Sequence, residues 1–217
     1  MERTIDRIAS EKIIAIVRNV PKEKLLRLCH ALYEGGIRLV ECTYDASGIV
    51  SDQETADMIK SIVDEFGETM TVGAGTVLTQ EQVALTKQAG GKFIISPDVN
   101  VDVIKKTKQQ GLVSIPGALT PSEITLATRN GADYIKLFPV NAVGGTDYLK
   151  AVSAPLSHVK FLAVGGVNKD NITTFLKAGF RGVGIGNGIV NTKMLGSGDY
   201  DGITELAAEF KSKAKES

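Results

Sequence analysis

Eight short apolar runs, each followed by a stretch with helical periodicity, divide this chain into repeating strand and helix units. The predicted strands lie at residues 13–17, 38–43, 70–75, 93–96, 112–117, 134–139, 160–166 and 182–188. The clearest predicted helices lie between them, at residues 22–34, 51–66, 79–89, 101–110, 121–130 and 171–178. Alternation at this spacing favours parallel βαβ units, and eight of them in about 200 residues predict a (β/α)8 TIM barrel. A doubly wound open sheet is the alternative fold.

The chain is expected to form one domain over residues 1–217, because no linker or low-complexity tract interrupts it. A charged amphipathic helix is predicted at residues 2–11, and a closing helix at about residues 201–215. The first of these does not resemble a signal peptide, and the apolar runs are too short to span a membrane. We therefore expect a cytoplasmic protein.

The charge balance argues against nucleic acid or an acidic membrane surface as a partner. Lysine plus arginine equals aspartate plus glutamate, at 25 each, so the net charge is zero. Cys29 and Cys42 have neither disulfide nor metal-ligand spacing and are expected to pack in the core. His30 and His158 are expected to pack or be solvated rather than to act as a catalytic base. A small-molecule function is favoured.

Lys136 is a charged residue at a position where the strand pattern predicts an apolar one. It stands in the apolar run of residues 134–139, and the two-residue period of a strand points it inward if Ile135 and Leu137 face the helices. An inward lysine loses hydration, which lowers its pKa and makes the amine a nucleophile for carbonyl groups. The alternative is a lysine at an exposed strand end or in a structural ion pair.

Polar side chains and glycines follow several of the predicted strands. In a barrel, the C-terminal strand ends meet at one mouth, where catalytic groups gather. The candidate residues at this mouth are Arg18, Glu41, Thr76, Pro97, Lys136, Phe138, Gly165, Gly166, Gly186, Asn187 and Gly188. One lysine, one carboxylate, one arginine and two glycine turns at a single mouth indicate a ligand site.

Each of these candidates also has a structural interpretation. Glu41 points inward by parity, where it is either an acid/base group or the ion-pair partner of Lys136 or Arg18. Thr76 is either a ligand group or a helix N-cap, for which Thr79 is the better candidate. The glycine pairs are either simple turns or a phosphate site built from backbone N–H groups. No metal-ligand cluster is expected, so a metal-dependent mechanism is disfavoured.

Six motifs, in this order and spacing, carry a resemblance to a known family. They are Val40-Glu-Cys-Thr43, Val72-Gly-Ala-Gly-Thr-Val77, Ile94-Ile-Ser-Pro97, Ile115-Pro-Gly117, Ile135-Lys-Leu-Phe-Pro139 and Ala163-Val-Gly-Gly-Val167. Together they resemble the KDPG/KHG aldolases, class I enzymes that cleave 2-keto-3-deoxy-6-phosphogluconate or 4-hydroxy-2-oxoglutarate. The resemblance runs from about Ile13 to the C-terminus.

The resemblance implies a role for each site residue. Lys136 is the Schiff-base lysine and Glu41 the general acid/base, while Thr76 helps to hold the pyruvate carboxylate. The Gly165-Gly166 turn and the turn of residues 186–188 hold the distal phosphate. The resemblance also implies a homotrimer that needs no organic cofactor.

Two departures from the gluconate-type pattern bear on the substrate. Asp45 stands where those members carry an arginine, whereas Arg18 resembles the arginine of the 2-dehydro-3-deoxy-6-phosphogalactonate aldolases. At the phosphate end, Val164 and Gly188 occupy places where hydroxyl residues often stand. Phosphate binding is then expected to depend on backbone N–H groups and Asn187.

The expected reaction yields pyruvate together with glyceraldehyde 3-phosphate, or with glyoxylate from hydroxyoxoglutarate. Phe138 is expected to pack against the reacting centre and exclude water. A phosphosugar isomerase or epimerase, which has no use for a reactive lysine, and a barrel that only binds a sugar acid are the alternatives.

Overall fold

The computed structural model describes residues 1–216 and consists of parallel strands that alternate with helices. The strands are β1 (Ile13–Val17), β2 (Leu39–Thr43), β3 (Thr71–Gly75), β4 (Phe93–Ile95), β5 (Val113–Ile115), β6 (Gly117–Ala118), β7 (Ile135–Leu137), β8 (Phe161–Val164) and β9 (Gly182–Ile185). The α-helices are α1 (Glu2–Glu11), α2 (Lys22–Glu34), α3 (Asp52–Phe66), α4 (Gln80–Gln88), α5 (Val101–Gln109), α6 (Pro121–Arg129), α7 (Gly145–Ser153), α8 (Ile172–Lys177), α9 (Thr192–Ser197) and α10 (Tyr200–Lys215). A 3-10 helix (Val140–Val143) precedes α7.

The strands form one sheet in the order β5-β4-β3-β2-β1-β9-β8-β7-β6, with every pair parallel. Its two edges, β5 and β6, are consecutive in the chain and are separated only by Pro116. The sheet therefore returns on itself, which confirms the predicted (β/α)8 barrel. The strand predicted at residues 112–117 is split in two because Pro116 has no N–H to give to a ladder. Its carbonyl still accepts from the N–H of Lys136 at 2.9 Å.

Two separate clusters of apolar side chains hold the barrel together. The larger cluster lies between the sheet and the helices and includes Ile135 and Leu137. The smaller cluster fills the barrel interior and includes Phe93, Tyr134 and Leu162. Strand β7 therefore alternates as its sequence predicts, with Ile135 and Leu137 outward and Lys136, like Tyr134 before it, inward.

Helix α1 covers the N-terminal end of the barrel. Ile8 is 1% exposed and packs with the interior cluster, and Ile5 lies against the same cluster. The Tyr134 hydroxyl donates to the Ile5 carbonyl at 3.0 Å. The floor of the barrel is thus closed by the chain's own N-terminal segment.

Helix starts agree closely with the predicted boundaries. Ser51, Thr79 and Thr120 each form a capping box with the residue three positions later, which satisfies the first free N–H groups of α3, α4 and α6. Thr79, rather than Thr76, is therefore the N-cap of α4. None of the helices in residues 1–216 combines the length and the apolar content that a membrane crossing requires.

Candidate active site

A cavity of about 620 Å³ opens at the C-terminal ends of the strands. Most of the predicted site residues line it, namely Arg18, Glu41, Lys136, Phe138, Gly165, Gly166, Gly186, Asn187 and Gly188. They arrive from β1, β2, β7, β8 and β9 or directly after them, which explains why residues far apart in sequence meet here. The barrel thus brings together one amine, one carboxyl group and one guanidinium.

Lys136 lies in the wall of this cavity and is only 6% exposed. Burial lowers the pKa of its ammonium group below the ordinary value; the carboxyl of Glu41 opposes this shift and the guanidinium of Arg18 reinforces it. The Nζ atom lies 4.6 Å from the centre of the Phe138 ring. A lysine with a lowered pKa and an accessible cavity is equipped to attack a carbonyl carbon.

Glu41 is 2% exposed and pairs in register with Gly73 of β3. Burial raises the pKa of its carboxyl group to about 7, against the opposing fields of Lys136 and Arg18. Within residues 1–216, Glu41 forms no direct ion pair with either cation. The structure therefore does not show the ion pair that a purely structural role for Glu41 would require. A pKa near 7 suits proton transfer instead.

Arg18 and Thr76 are joined by a hydrogen bond. The Arg18 Nη2 donates to the Thr76 Oγ1 at 3.2 Å, across the ends of β1 and β3. Thr76 has a φ of 54°, a conformation that β-branched residues rarely adopt. It does not itself line the cavity. In this structure its hydroxyl reaches the guanidinium rather than the cavity.

The two glycine turns form the rim of the cavity nearest β8 and β9. Gly165 and Gly166 have φ values of 92° and 87°, which glycine adopts without steric cost. A side chain at Gly166 would also collide with Asn141, whose Cγ would lie 2.6 Å from the new Cβ. Asn141 and Asn171 both donate to the Gly166 carbonyl, at 2.8 and 2.9 Å. Two side-chain hydrogen bonds thus hold the carbonyl of Gly166, and the backbone of this residue is exposed at the rim.

Asn187 and Gly188 take different places at this rim. The Asn187 Oδ1 accepts from the backbone N–H and the hydroxyl of Thr192, both at 3.1 Å. Its amide nitrogen is therefore the part left for a ligand. A side chain at Gly188 would meet Ile185 at 3.1 Å and approach Phe210, so it would point into the core.

Besides Thr76, two residues that the sequence singled out, Pro97 and Asp45, lie outside the cavity. Pro97 is exposed and does not line the cavity, although its carbonyl packs closely against Gly117. Asp45 turns its carboxylate onto its own loop, where it accepts from the N–H groups of Ser47, Ile49 and Val50. The hydroxyl of Ser47 and these backbone groups lower the pKa of Asp45 to about 2. Its charge is thus committed to holding the loop.

The structure adds two polar residues that sequence reasoning missed. Asn19 follows Arg18 at the end of β1, has a φ of 54° and lines the cavity. Thr192 begins α9 and also lines it. Asn19 had a weak signal, because asparagine is enriched at positive φ after a strand. Thr192 had none, since α9 lies outside the predicted helices.

The described residues hold no group of three or more histidine, cysteine, aspartate or glutamate side chains that is arranged to bind a metal ion. The polar groups at the mouth include the amine, the carboxyl, the guanidinium, the backbone amides of the rim and the side chains of Asn19, Asn187 and Thr192. Such a set supports imine formation and proton transfer on an anionic substrate.

Comparison with known proteins gives consistent results. The family model for KDPG and KHG aldolase matches residues 4–206. A KHG/KDPG aldolase from Escherichia coli is 35% identical over 193 residues, which cover 89% of this chain and 87% of the relative. A 2-dehydro-3-deoxy-6-phosphogalactonate aldolase from the same organism is 33% identical over 176 residues, which cover 81% of this chain and 82% of that protein.

Solved structures lead to the same family. A native KDPGal structure superposes with a TM-score of 0.83 at 31% identity, covering 94% of both chains. A KDPG aldolase from Legionella pneumophila, with pyruvate captured as a covalent carbinolamine intermediate, has a TM-score of 0.83 at 29% identity. The match covers 93% of this chain and 94% of that one.

Proposed function

The chain belongs to the KDPG and KHG aldolase family of carbon–carbon lyases, and we propose that it cleaves a 2-keto-3-deoxy-6-phospho sugar acid through an imine on Lys136. The products are pyruvate and D-glyceraldehyde 3-phosphate. The observation that supports this most directly is the position of Lys136, buried in the cavity wall with a lowered pKa beside the carboxyl of Glu41.

The proposed reaction follows from the chemistry of these two groups. The neutral amine of Lys136 attacks the C2 ketone, and loss of water leaves an iminium that withdraws electrons from the C3–C4 bond. Glu41, through a water molecule, takes the proton of the C4 hydroxyl, so that the bond breaks into an aldehyde and an enamine of pyruvate. The same carboxyl group returns a proton to C3. Hydrolysis of the imine then releases pyruvate and restores the amine.

The carboxylate of the substrate is assigned to Arg18, with Thr76 as the residue that helps to hold it by orienting the guanidinium. Two cations line the mouth, and Lys136 is the one that reacts, so Arg18 is available to bind the carboxylate. Its hydrogen bond to Thr76 fixes one side of the guanidinium. Asp45 is unsuited to this task because it is an anion bound to its own loop. Phe138, beside the Lys136 amine, limits the access of water to the imine.

The distal phosphate is assigned to the backbone N–H groups of Gly165, Gly166 and the turn of residues 186–188, with the amide of Asn187. Among the described residues that line the cavity, Arg18 and Lys136 are the only basic side chains, and both belong to the reacting end. Phosphate is then held by neutral donors alone. A distal end without a phosphate is tolerated more readily at such a rim, so 4-hydroxy-2-oxoglutarate, whose distal group is a carboxylate, is proposed as a second substrate, which would yield pyruvate and glyoxylate.

The choice between the gluconate and galactonate acids is part of the proposal. The features that favour the galactonate isomer are Arg18 at the end of β1 and the relative of that name. The proposal also includes a homotrimer and a cytoplasmic location, which rest on the family resemblance and on the sequence pattern. Sedimentation equilibrium of the purified protein, for a protomer of 23.1 kDa, tests the oligomer.

The reaction is tested by reducing the protein with borohydride in the presence of pyruvate. We expect one three-carbon adduct, which peptide mass mapping places on Lys136. Lys136→Arg abolishes the adduct and the turnover. Lys160→Arg is the matched control, because Lys160 also lies against an aromatic ring, that of Tyr134, but outside the mouth.

Failure to trap pyruvate in the parent protein would contradict the proposal and favour a phosphosugar isomerase or a barrel that only binds sugar acids. Pyruvate release from a panel of 2-keto acids then identifies the substrate. The panel contains both 6-phospho epimers, their unphosphorylated forms and 4-hydroxy-2-oxoglutarate.

A further inference from the structure

Strand β3 turns glycine, rather than a larger residue, toward the barrel interior at both of its inward positions near the mouth. In the parallel register, Glu41 pairs with Gly73 and Thr43 with Gly75, so both glycines share the inward face with Glu41. Ala74, between them, belongs to the outer core. The missing side chains leave space inside the barrel, and two neighbours use it.

Gly73 makes room for the ring of Phe93. A Cβ atom at Gly73 would lie 2.5 Å from the Phe93 Cγ and closer still to the ring edge. Phe93 is fully buried in the interior cluster. This glycine therefore serves the packing of the barrel.

Gly75 makes room for a functional group instead. A Cβ atom at Gly75 would collide with the Glu41 Oε1 and lie 2.8 Å from its Cδ, while the Thr43 Cγ2 would be 3.0 Å away. The carboxyl group of Glu41 thus lies flat against the backbone at the end of β3. It reaches this place because strand side chains lean along the strand, from the level of Gly73 toward that of Gly75.

No direct ion pair within residues 1–216 holds the Glu41 carboxyl in this position. Its location therefore depends on the shape of the surrounding wall. We propose that Gly75 is a positioning residue for the reaction: its missing side chain forms the slot that fixes the Glu41 carboxyl opposite the amine-bound substrate. This inference rests on the acid/base role proposed above for Glu41.

The slot also explains the electrostatics of the carboxyl group. Flush against the backbone, Glu41 is shielded from water, and burial is the largest cause of its raised pKa. A methyl group at position 75 pushes the carboxyl away from this wall and toward the open cavity. Its pKa then falls toward the ordinary value, and its distance to the reacting atoms changes.

The kinetic test is Gly75→Ala, with Gly196→Ala as the matched control. Gly196 lies in α9 outside the site, and a Cβ atom there meets nothing within 4 Å. We expect Gly75→Ala to lower kcat about 100-fold, a loss that a displacement of about 1 Å in a catalytic group can cause. Trapping of pyruvate on Lys136 by borohydride persists, and the low-pH limb of the rate profile moves to lower pH. An unchanged kcat and pH profile would overturn the inference.

A double-mutant cycle tests the steric claim without any turnover. Urea unfolding is measured for Gly75→Ala in the parent and in a Glu41→Ala background. If the added methyl collides with the Glu41 carboxyl, it destabilises the parent but costs much less when that carboxyl is absent. If Gly75→Ala fails to fold, the double variant should fold.

Equal destabilisation in both backgrounds, or a double variant that also fails to fold, would overturn the inference, because the clash would then lie elsewhere. A failure of the proposed function looks different. In that case the parent protein itself traps no pyruvate, whereas the unfolding cycle still gives its own answer.

Discussion

At the scale of single residues, Lys136 and Glu41 are buried charges of opposite sign that share a cavity without a direct ion pair. Strand parity alone predicts that both point inward. Parity does not predict the distance between them, because that depends on strand order and on the glycines of β3. The raised pKa of Glu41 and the lowered pKa of Lys136 both come mainly from burial. Both pKa values are thereby shifted toward neutral pH, where a carboxyl group can exchange protons and a neutral amine can attack a carbonyl.

Glu41→Gln is expected to separate the two halves of the chemistry. The amide keeps the size of the side chain but cannot accept the C4 hydroxyl proton as a carboxylate does. Turnover should fall by about two to four orders of magnitude, whereas borohydride should still trap some pyruvate on Lys136. The measurements are steady-state cleavage rates and adduct mass. Normal turnover in a folded variant would show that Glu41 has only a structural role.

The raised pKa of Glu41 also predicts how stability changes with pH. The folded chain keeps its proton up to about pH 7, whereas the unfolded chain loses it near 4.5. Between these values the folded state binds more protons, so the free energy of unfolding falls as the pH rises. Glu41→Gln lacks this loss. Between pH 4.5 and pH 8, the free energy of unfolding of the variant should therefore rise relative to that of the parent by on the order of 3 kcal/mol.

Urea unfolding of both proteins across this pH range checks the expectation. Parallel curves for parent and variant would mean that the carboxyl titrates at its ordinary pKa in the folded barrel.

At the scale of helices and strands, local sequence signals define most boundaries of the fold. The capping boxes at Ser51, Thr79 and Thr120 make three helix starts predictable. Non-local effects are harder to predict. Pro116 splits one predicted strand, and α7 and α9 lie outside the helices predicted from the sequence. The same limit applies to the rim, where the sequence indicates glycine turns but not the direction in which each Cα faces.

That direction decides which rim glycine is the best probe of phosphate binding. A Cβ atom at Gly186 would meet only Ile16, at 4.0 Å, and both residues line the cavity, so Gly186→Val adds bulk at the mouth. We expect a higher KM for the phosphorylated substrate and nearly unchanged trapping of pyruvate, because the imine forms at the other end of the ligand.

Gly188→Val is the comparison, since its side chain would press on the core near Ile185 and lower stability instead. Equal KM values for phosphorylated and unphosphorylated substrates in the parent would contradict the phosphate assignment. That result would indicate a free sugar acid or hydroxyoxoglutarate as the substrate.

At the scale of the whole molecule, the barrel is open at one end only. Helix α1 closes the floor through Ile8, and the Tyr134 hydroxyl ties it to the segment that leads into β7. The chain carries zero net charge, so attraction of the anionic substrate depends on the local groups of the mouth. Stability and chemistry are therefore located at opposite ends of the barrel.

Ile8→Ala tests this division. Removing a side chain that is 1% exposed from the barrel interior should lower the free energy of unfolding by about 2 to 5 kcal/mol. Urea unfolding measures the loss, and kcat measured well below the unfolding transition should stay near that of the parent. Ser10→Ala, on the exposed side of the same helix, is the control. A large drop in kcat without a loss of stability would show that the floor shapes the mouth.

The closed floor has a kinetic consequence for the proposed reaction. Substrate and both products must use the same opening, and pyruvate is bonded to Lys136 in the wall while the aldehyde lies at the glycine rim above it. The aldehyde must leave first, and pyruvate can follow only after its imine is hydrolysed. Run in the direction of synthesis, the enzyme must load pyruvate before the aldehyde, so the barrel's shape dictates an ordered sequence of arrivals and departures.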